Sequence, residues 1–203
     1  MSRLWSSDDL LTETMMSTKQ ALEMNFEGIE YLKYGNAKQV RVHEVLSSLG
    51  IFDKLAAFDP VVVGTIPIEV DLPDSDIDIC CYVADEASFI EIITSCFGRQ
   101  QGFSIRPSRK SKDHALVARF RVADFEIEIF AQAVPTRQQF AYRHMLIEYK
   151  LLKANGAVFR EQVLELKRQG LKTEPAFALL LGLDGDPYAS LLTFEPPSGQ
   201  LNS

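Results

Sequence analysis

No stretch of this sequence stays apolar long enough to cross a bilayer as a helix, which takes roughly 20 consecutive residues, so no membrane partner is expected. Cysteine is scarce: Cys80 and Cys81 are adjacent and Cys96 stands alone. With no Cys-x-x-Cys pair and no even-numbered framework, a disulfide scaffold is not expected, and buried free thiols are expected over a metal or redox role. Basic residues are in deficit. The net charge of −7 argues against an extended grip on duplex nucleic acid. The opening residues Met1-Ser-Arg-Leu-Trp-Ser-Ser-Asp-Asp9 lack the apolar core of a signal peptide, so a cytoplasmic location is expected. There is no internal repeat, low-complexity tract, P-loop or serine elbow.

What is present suits one globular unit. The 203 residues are 46% hydrophobic, enough to bury one core with a small helical annex. Charge is unevenly spread. Residues 1–30 hold two basic and six acidic side chains, and residues 174–203 hold four acidic and no basic ones. Residues 99–121 carry seven basic groups (Arg99, Arg106, Arg109, Lys110, Lys112, Arg119, Arg121) against the single acid Asp113. Such a run either meets an anion or guards an exposed strand edge with charge, and the sequence leaves both open.

Apolar residues recur at helical spacing through Leu22, Phe26, Ile29 and Leu32, then Val42, Val45, Leu46 and Leu49. Two or three helices are expected over 17–57, with Gly50 as a stop. The period then changes. Strands are expected at 60–64, 76–83, 103–107, 114–122 and 124–132, with a helix at 85–97 and a hairpin around Val122-Ala-Asp124. From 137 the helical period returns, giving helices at 138–154, 157–169 and 174–183 with glycines near their ends. Thr173 reads as a helix N-cap, and the tail from Pro187 reads as loop. The fold class is α+β: a mixed β-sheet with flanking helices and a C-terminal helical bundle. The expected division is a sheet domain over 1–135 and a helical region with its tail over 136–203.

The chemistry concentrates where Val63-Gly64-Thr65 ends one strand and Ser75-Asp76-Ile77-Asp78 opens the next, nine residues later. Alternate side chains of a strand share a face, so Asp76 and Asp78 project together while Ile77 and Ile79 turn inward. Two carboxylates this close repel each other unless a cation sits between them. Magnesium suits them, since it takes one or two carboxylates together with substrate phosphates. The hairpin repeats the pattern in Asp124-Phe-Glu-Ile-Glu-Ile-Phe130, where Glu126 or Glu128 offers a third carboxylate. Three carboxylates can hold two ions. Gly64 lets the backbone approach a phosphate, and the Thr65 hydroxyl with nearby N–H groups can bind its oxygens. Ser75 is counted with this phosphate-binding group. Arg143 or His144, early in a helix, could reach a phosphate or base.

Gly64-Thr65, a nine-residue spacer and Ser75-Asp76-Ile77-Asp78 together resemble the signature of the polymerase-beta-type nucleotidyltransferases. That resemblance implies a nucleotidyltransferase-like fold, catalytic and metal-binding roles for Asp76, Asp78 and Glu128, one or two magnesium ions and a nucleoside triphosphate substrate such as ATP. The acceptor stays open: small molecule, RNA end or protein. Ala141-Tyr-Arg-His-Met-Leu-Ile-Glu148 and Gly170-Leu-Lys-Thr-Glu-Pro-Ala-Phe177 extend the likeness to a bacterial family known only as domain of unknown function 4269. The spacer departs from the pattern at two positions, with Ile68 and Glu69 standing where small members often carry arginine and then glycine. A catalytically inactive binding or regulatory module on the same fold is therefore the alternative, and a metal-dependent phosphohydrolase a third reading.

Overall fold

The computed structural model describes residues 26–108 and 114–194. The expected helical pattern over 17–25, the basic residues Arg109, Lys110 and Lys112, and the Pro196-Pro197 tail lie outside the described residues.

The chain enters with a short 3₁₀ turn at Glu30–Tyr34 and helix α1, Ala37–Leu49. Asn36 starts α1 with a capping box: its side chain accepts from the backbone N–H groups of Lys38 and Gln39, while the Gln39 side chain takes the Asn36 N–H. Gly50 ends it, as expected, and the short α2, Ile51–Lys54, follows. Strand β1, Val61–Val63, leads through a long spacer to β2, Ile77–Tyr82. Helix α3, Glu86–Phe97, starts at the Asp85 side chain. Three strands then run in succession: β3, Gln101–Pro107; β4, Ala115–Val122; and β5, Phe125–Gln132. After a 3₁₀ turn at Thr136–Gln138 come α4, Phe140–Arg168; α5, Thr173–Leu181; and α6, Pro187–Thr193.

The five strands form one mixed sheet in the order β1-β2-β5-β4-β3. Only β2 and β5 run parallel, and the remaining pairs are antiparallel. The architecture is thus the α+β class that the order of periods implies. Alternation sorts the sheet's faces. Ile77, Ile79, Cys81, Ile127, Ile129, Ala118 and Phe120 point into a core closed by α1 and α3. There Phe97 stacks on Phe120 with ring centroids 4.9 Å apart. Burying aromatic and aliphatic side chains of this size contributes roughly 1.5–3 kcal/mol each.

A second core lies at the other side of β1 and β2. Val61, Val63 and Cys80 pack there against Met145, Tyr149, Leu152, Phe159, Val163 and Phe177 of the C-terminal helices. Among the described residues, the opposite end of that sheet face, along β5, β4 and β3, lines a cavity.

The expected helices at 138–154 and 157–169 are the two arms of α4, which break at Gly156, whose φ of 73° and ψ of −164° are open to glycine and leave the helical run. Two expectations change. Thr173 is the first helical residue of α5, and Lys172 holds the cap position without a side-chain bond. The segment from Pro187 is helical: Asp186 accepts the Tyr188 N–H at 2.9 Å, Pro187 fits the first turn, and Leu191 is buried. No described helix is long and apolar enough to cross a membrane.

Candidate active site

The site is built around the end of β1 and the middle of β2. Antiparallel pairing sets Val63 against Asp78, and parallel pairing sets Asp78 against Glu128. Asp78 and Glu128 are therefore register neighbours, both half-buried on the face away from the α1–α3 core. Gly64 follows with φ 80°, and a Cβ there would lie 2.6 Å from Asp78 Oδ2. Both facts demand glycine: the conformation disfavours any side chain, and the space is filled by the carboxylate. Gly64, Thr65, Asp78 and Glu128 line one cavity of about 450 Å³.

The spacer between the two motifs is clamped from two sides. From α1, the Gln39 amide donates to Ile66 O at 2.9 Å and Pro67 O at 3.2 Å, and Lys38 pairs with Asp71 at 3.1 Å. From α4, Arg160 donates to Ile68 O at 2.8 Å and reaches the Glu69 carboxylate at 3.2 Å, while Lys167 donates to Val70 O at 2.5 Å. These bonds explain the two departures from the resembled pattern. Ile68 is a core side chain of the second cluster. Glu69 sits at φ 61°, a conformation that suits glycine, and its charge is balanced by Arg160.

The expected residues separate into two groups. Gly64, Thr65, Asp78 and Glu128 share the cavity wall. Asp76 and Ser75 stand outside it, ahead of β2, and the Ser75 hydroxyl accepts the Leu72 N–H at 2.9 Å. Among the described residues, no group of three or more His, Cys, Asp or Glu is assembled to hold a metal ion. Asp76, Asp78 and Glu128 are thus not preassembled as a three-ligand cage. Asp76 precedes the ladder, and Glu128 is held by an ion pair with Arg119, its cross-strand partner on β4. That pair holds the Arg119 guanidinium above its ordinary range. The carboxylate oxygens of Asp78 and Glu128 are hard donors of the kind magnesium takes.

Glu126 pairs with Arg121 at 4.0 Å, further along β5. With Arg106, Arg119, Ser104 and Glu128 these residues line a second cavity of about 820 Å³ over β3–β5, which meets the first at Glu128 and Phe130. Of the basic run, Arg106 lies on the edge strand β3, while Arg119 and Arg121 on β4 line this cavity and pair with Glu128 and Glu126. Burial pushes the Cys80 thiol well above the ordinary range and the Cys81 thiol up to about 12.

The inner wall of the first cavity comes from the helices and includes Gln139, His144, Glu148, Thr173 and Glu174. Glu148 is 3% exposed, and its Oε1 has no hydrogen-bond partner. Burial, reinforced by Glu174 and opposed by Lys167, pushes its carboxyl up to about 8. The sequence held a signal for it. Glu148 interrupts the apolar stripe of Met145, Tyr149 and Leu152 on α4, and a carboxyl in such a stripe calls for a partner.

Solved structures with a related chain path include the GLD-2/RNP-8 complex, the RNA terminal uridylyl transferase Cid1 and the polymerase core of TRAMP, an RNA surveillance complex. The first has a TM-score of 0.47 at 16% identity, covering 76% of this chain and 58% of that one. For Cid1 the values are 0.46 and 17%, covering 68% and 46%. For TRAMP they are 0.48 and 14%, covering 81% and 59%. The chain spans about half the length of these structures. No curated protein matches it significantly. The family model described as domain of unknown function DUF4269 matches residues 44–194, and the chain belongs to that family.

Proposed function

We propose that the chain is a magnesium-dependent nucleotidyltransferase that moves a nucleoside monophosphate from a nucleoside triphosphate, such as ATP, to an acceptor. The observation that carries this reading is the closure of Gly64 onto Asp78, with Thr65 beside it and Glu128 in register on the parallel neighbour strand. The backbone at Gly64 and the Thr65 hydroxyl donate to the triphosphate. Asp78 and Glu128 would hold the magnesium, joined by Asp76 from the start of β2, and the ion would neutralise the phosphates and the leaving pyrophosphate. Glu128 stands where the two cavities meet, so an acceptor entering along β3–β5 reaches the triphosphate beside it. Ser75 supports the turn that presents Asp76.

The test is purified protein with magnesium, labelled nucleoside triphosphates and an acceptor pool, run beside the Asp76→Asn/Asp78→Asn double variant. Labelled product and free pyrophosphate from the wild type alone are expected. Equal transfer by the two proteins would sink the reading, and release of orthophosphate would make the chain a phosphohydrolase. The second reading, a binding module without turnover, is favoured by the Arg119 pairing that neutralises Glu128. It predicts that the wild type binds magnesium nucleotide but releases no pyrophosphate.

A further inference from the structure

Two buried acceptor oxygens of the first cavity's wall have no hydrogen-bond partner among the described residues: Glu148 Oε1 and Gln139 Oε1. Gln139 is 2% exposed and its amide nitrogen is already committed, donating to Cys81 O and Val134 O at 2.9 Å each. Buried polar groups are almost always paired, and a carboxyl at 3% exposure is a costly thing to leave alone. The fold does not need it. Met145, Tyr149 and Leu152 on the same stripe supply the packing.

The rest of the wall shares one polarity. Four carboxyl side chains line this cavity (Asp78, Glu128, Glu148, Glu174), with His144 and not one lysine or arginine. His144 is engaged on both sides, its Nε2 at 2.9 Å from Tyr188 O and its Nδ1 at 3.9 Å from Glu174. Lys167, whose charge acts on Glu148, donates to Val70 O, and among the described residues it forms no ion pair with Glu148. If magnesium and phosphate occupy the Asp78–Glu128 end, the inner end is left rich in acceptors and without a lysine or arginine.

We propose that Glu148 binds an amino group of the ligand in this cavity through its unpartnered Oε1, with Glu174 supplying negative charge and Gln139 a second acceptor. The amino group belongs to the base of the nucleotide or to an amine-bearing small acceptor; both present N–H donors, neutral in the base and cationic in an alkylamine at neutral pH. The ligand's orientation rests on the nucleotidyltransferase reading, whereas the unpartnered oxygens do not.

The experiment measures equilibrium binding by calorimetry to the wild type, Glu148→Gln and Glu148→Met. In one arm the probes are magnesium ATP and magnesium purine riboside triphosphate, which lacks the 6-amino group. In the other they are spermidine and its fully acetylated form. The expected result is a preference of at least about tenfold for the amino form in one arm, abolished in both variants while their thermal melting points hold or rise. Retention of melting temperature separates recognition from a structural role, because removing an unpaired buried carboxyl does not weaken the fold.

Equal affinity for amino and amino-free probes in both arms would overturn the inference, as would an amino preference that survives in both variants. A Glu148-dependent preference for spermidine with no binding of either triphosphate keeps the inference and removes the nucleotide reading instead. Binding of both triphosphates alike, with no preference in the spermidine arm, does the reverse.

Discussion

The residue whose environment decides most is Gly64. Its φ of 80° and the 2.6 Å separation between a built Cβ and Asp78 Oδ2 leave no room for a methyl group. Gly64→Ala is expected to cost about 1–3 kcal/mol, read as a lowered urea midpoint, and to displace Asp78 enough to abolish magnesium-nucleotide binding. A fully stable variant with wild-type binding would contradict the close approach. Glu148 makes a different prediction, in pH. Its folded value of about 8 lies above the ordinary 4.5, pushed up by burial and Glu174 against the pull of Lys167, with His144 beside Glu174. A raised carboxyl favours folding while protonated, so that stability is fully present below about 4.5 and is lost as pH climbs through 8. Between pH 5 and 8.5 the wild type should lose on the order of a few kcal/mol more than Glu148→Gln, measured by urea unfolding at both values. Parallel losses would place the titration elsewhere.

At the scale of elements, the spacer between Gly64 and Asp76 behaves as a strap held by α1 and α4. Arg160 holds Ile68 O and the Glu69 carboxylate from one side, and Gln39 holds Ile66 O and Pro67 O from the other. Arg160→Ala removes a partly exposed pair, worth at most about 1 kcal/mol of stability, but it loosens the backbone that presents Thr65. Nucleotide binding should therefore weaken several-fold while the melting temperature barely moves. If stability collapses and affinity does not, the strap serves folding and not the site. None of this was readable beforehand. Val63, Gly64, Ser75 and Asp78 announce a turn between strands by their types and spacing, but Arg160 and Lys167 lie some 90 residues away in sequence from the carbonyls they hold. The hairpin of β4 and β5 was legible because alternation in Phe125-Glu-Ile-Glu-Ile needs no distant partner. The short helix from Pro187 was not, since its seven residues earn their helicity by seating Leu191 in the second core.

The molecule as a whole rests on one sheet with a core on either side. Val61, Val63 and Cys80 belong to the second core although their strands belong to the sheet, so the C-terminal helices complete the packing of β1 and β2. We expect residues 136–203 made alone to be largely unfolded by circular dichroism, and residues 1–135 alone to expose the apolar side of β1 and aggregate. A folded, soluble helical fragment would show instead that the boundary near 135 separates independent domains.

By itself the sequence determined the α+β class, the strand and helix periods, and the chemical types of the motif: glycine beside a hydroxyl, acids alternating with isoleucines. Those depend on local spacing, which a chain carries without folding. Only the tertiary structure decided which acids meet. Parallel pairing of β2 with β5 brings Glu128 beside Asp78 from fifty residues away, Arg119 takes hold of that same glutamate, and the kinked α4 carries Glu148 to the cavity's inner wall. Strand register and helix packing are long-range choices, settled by which apolar faces are buried together, and no spacing along the chain encodes them.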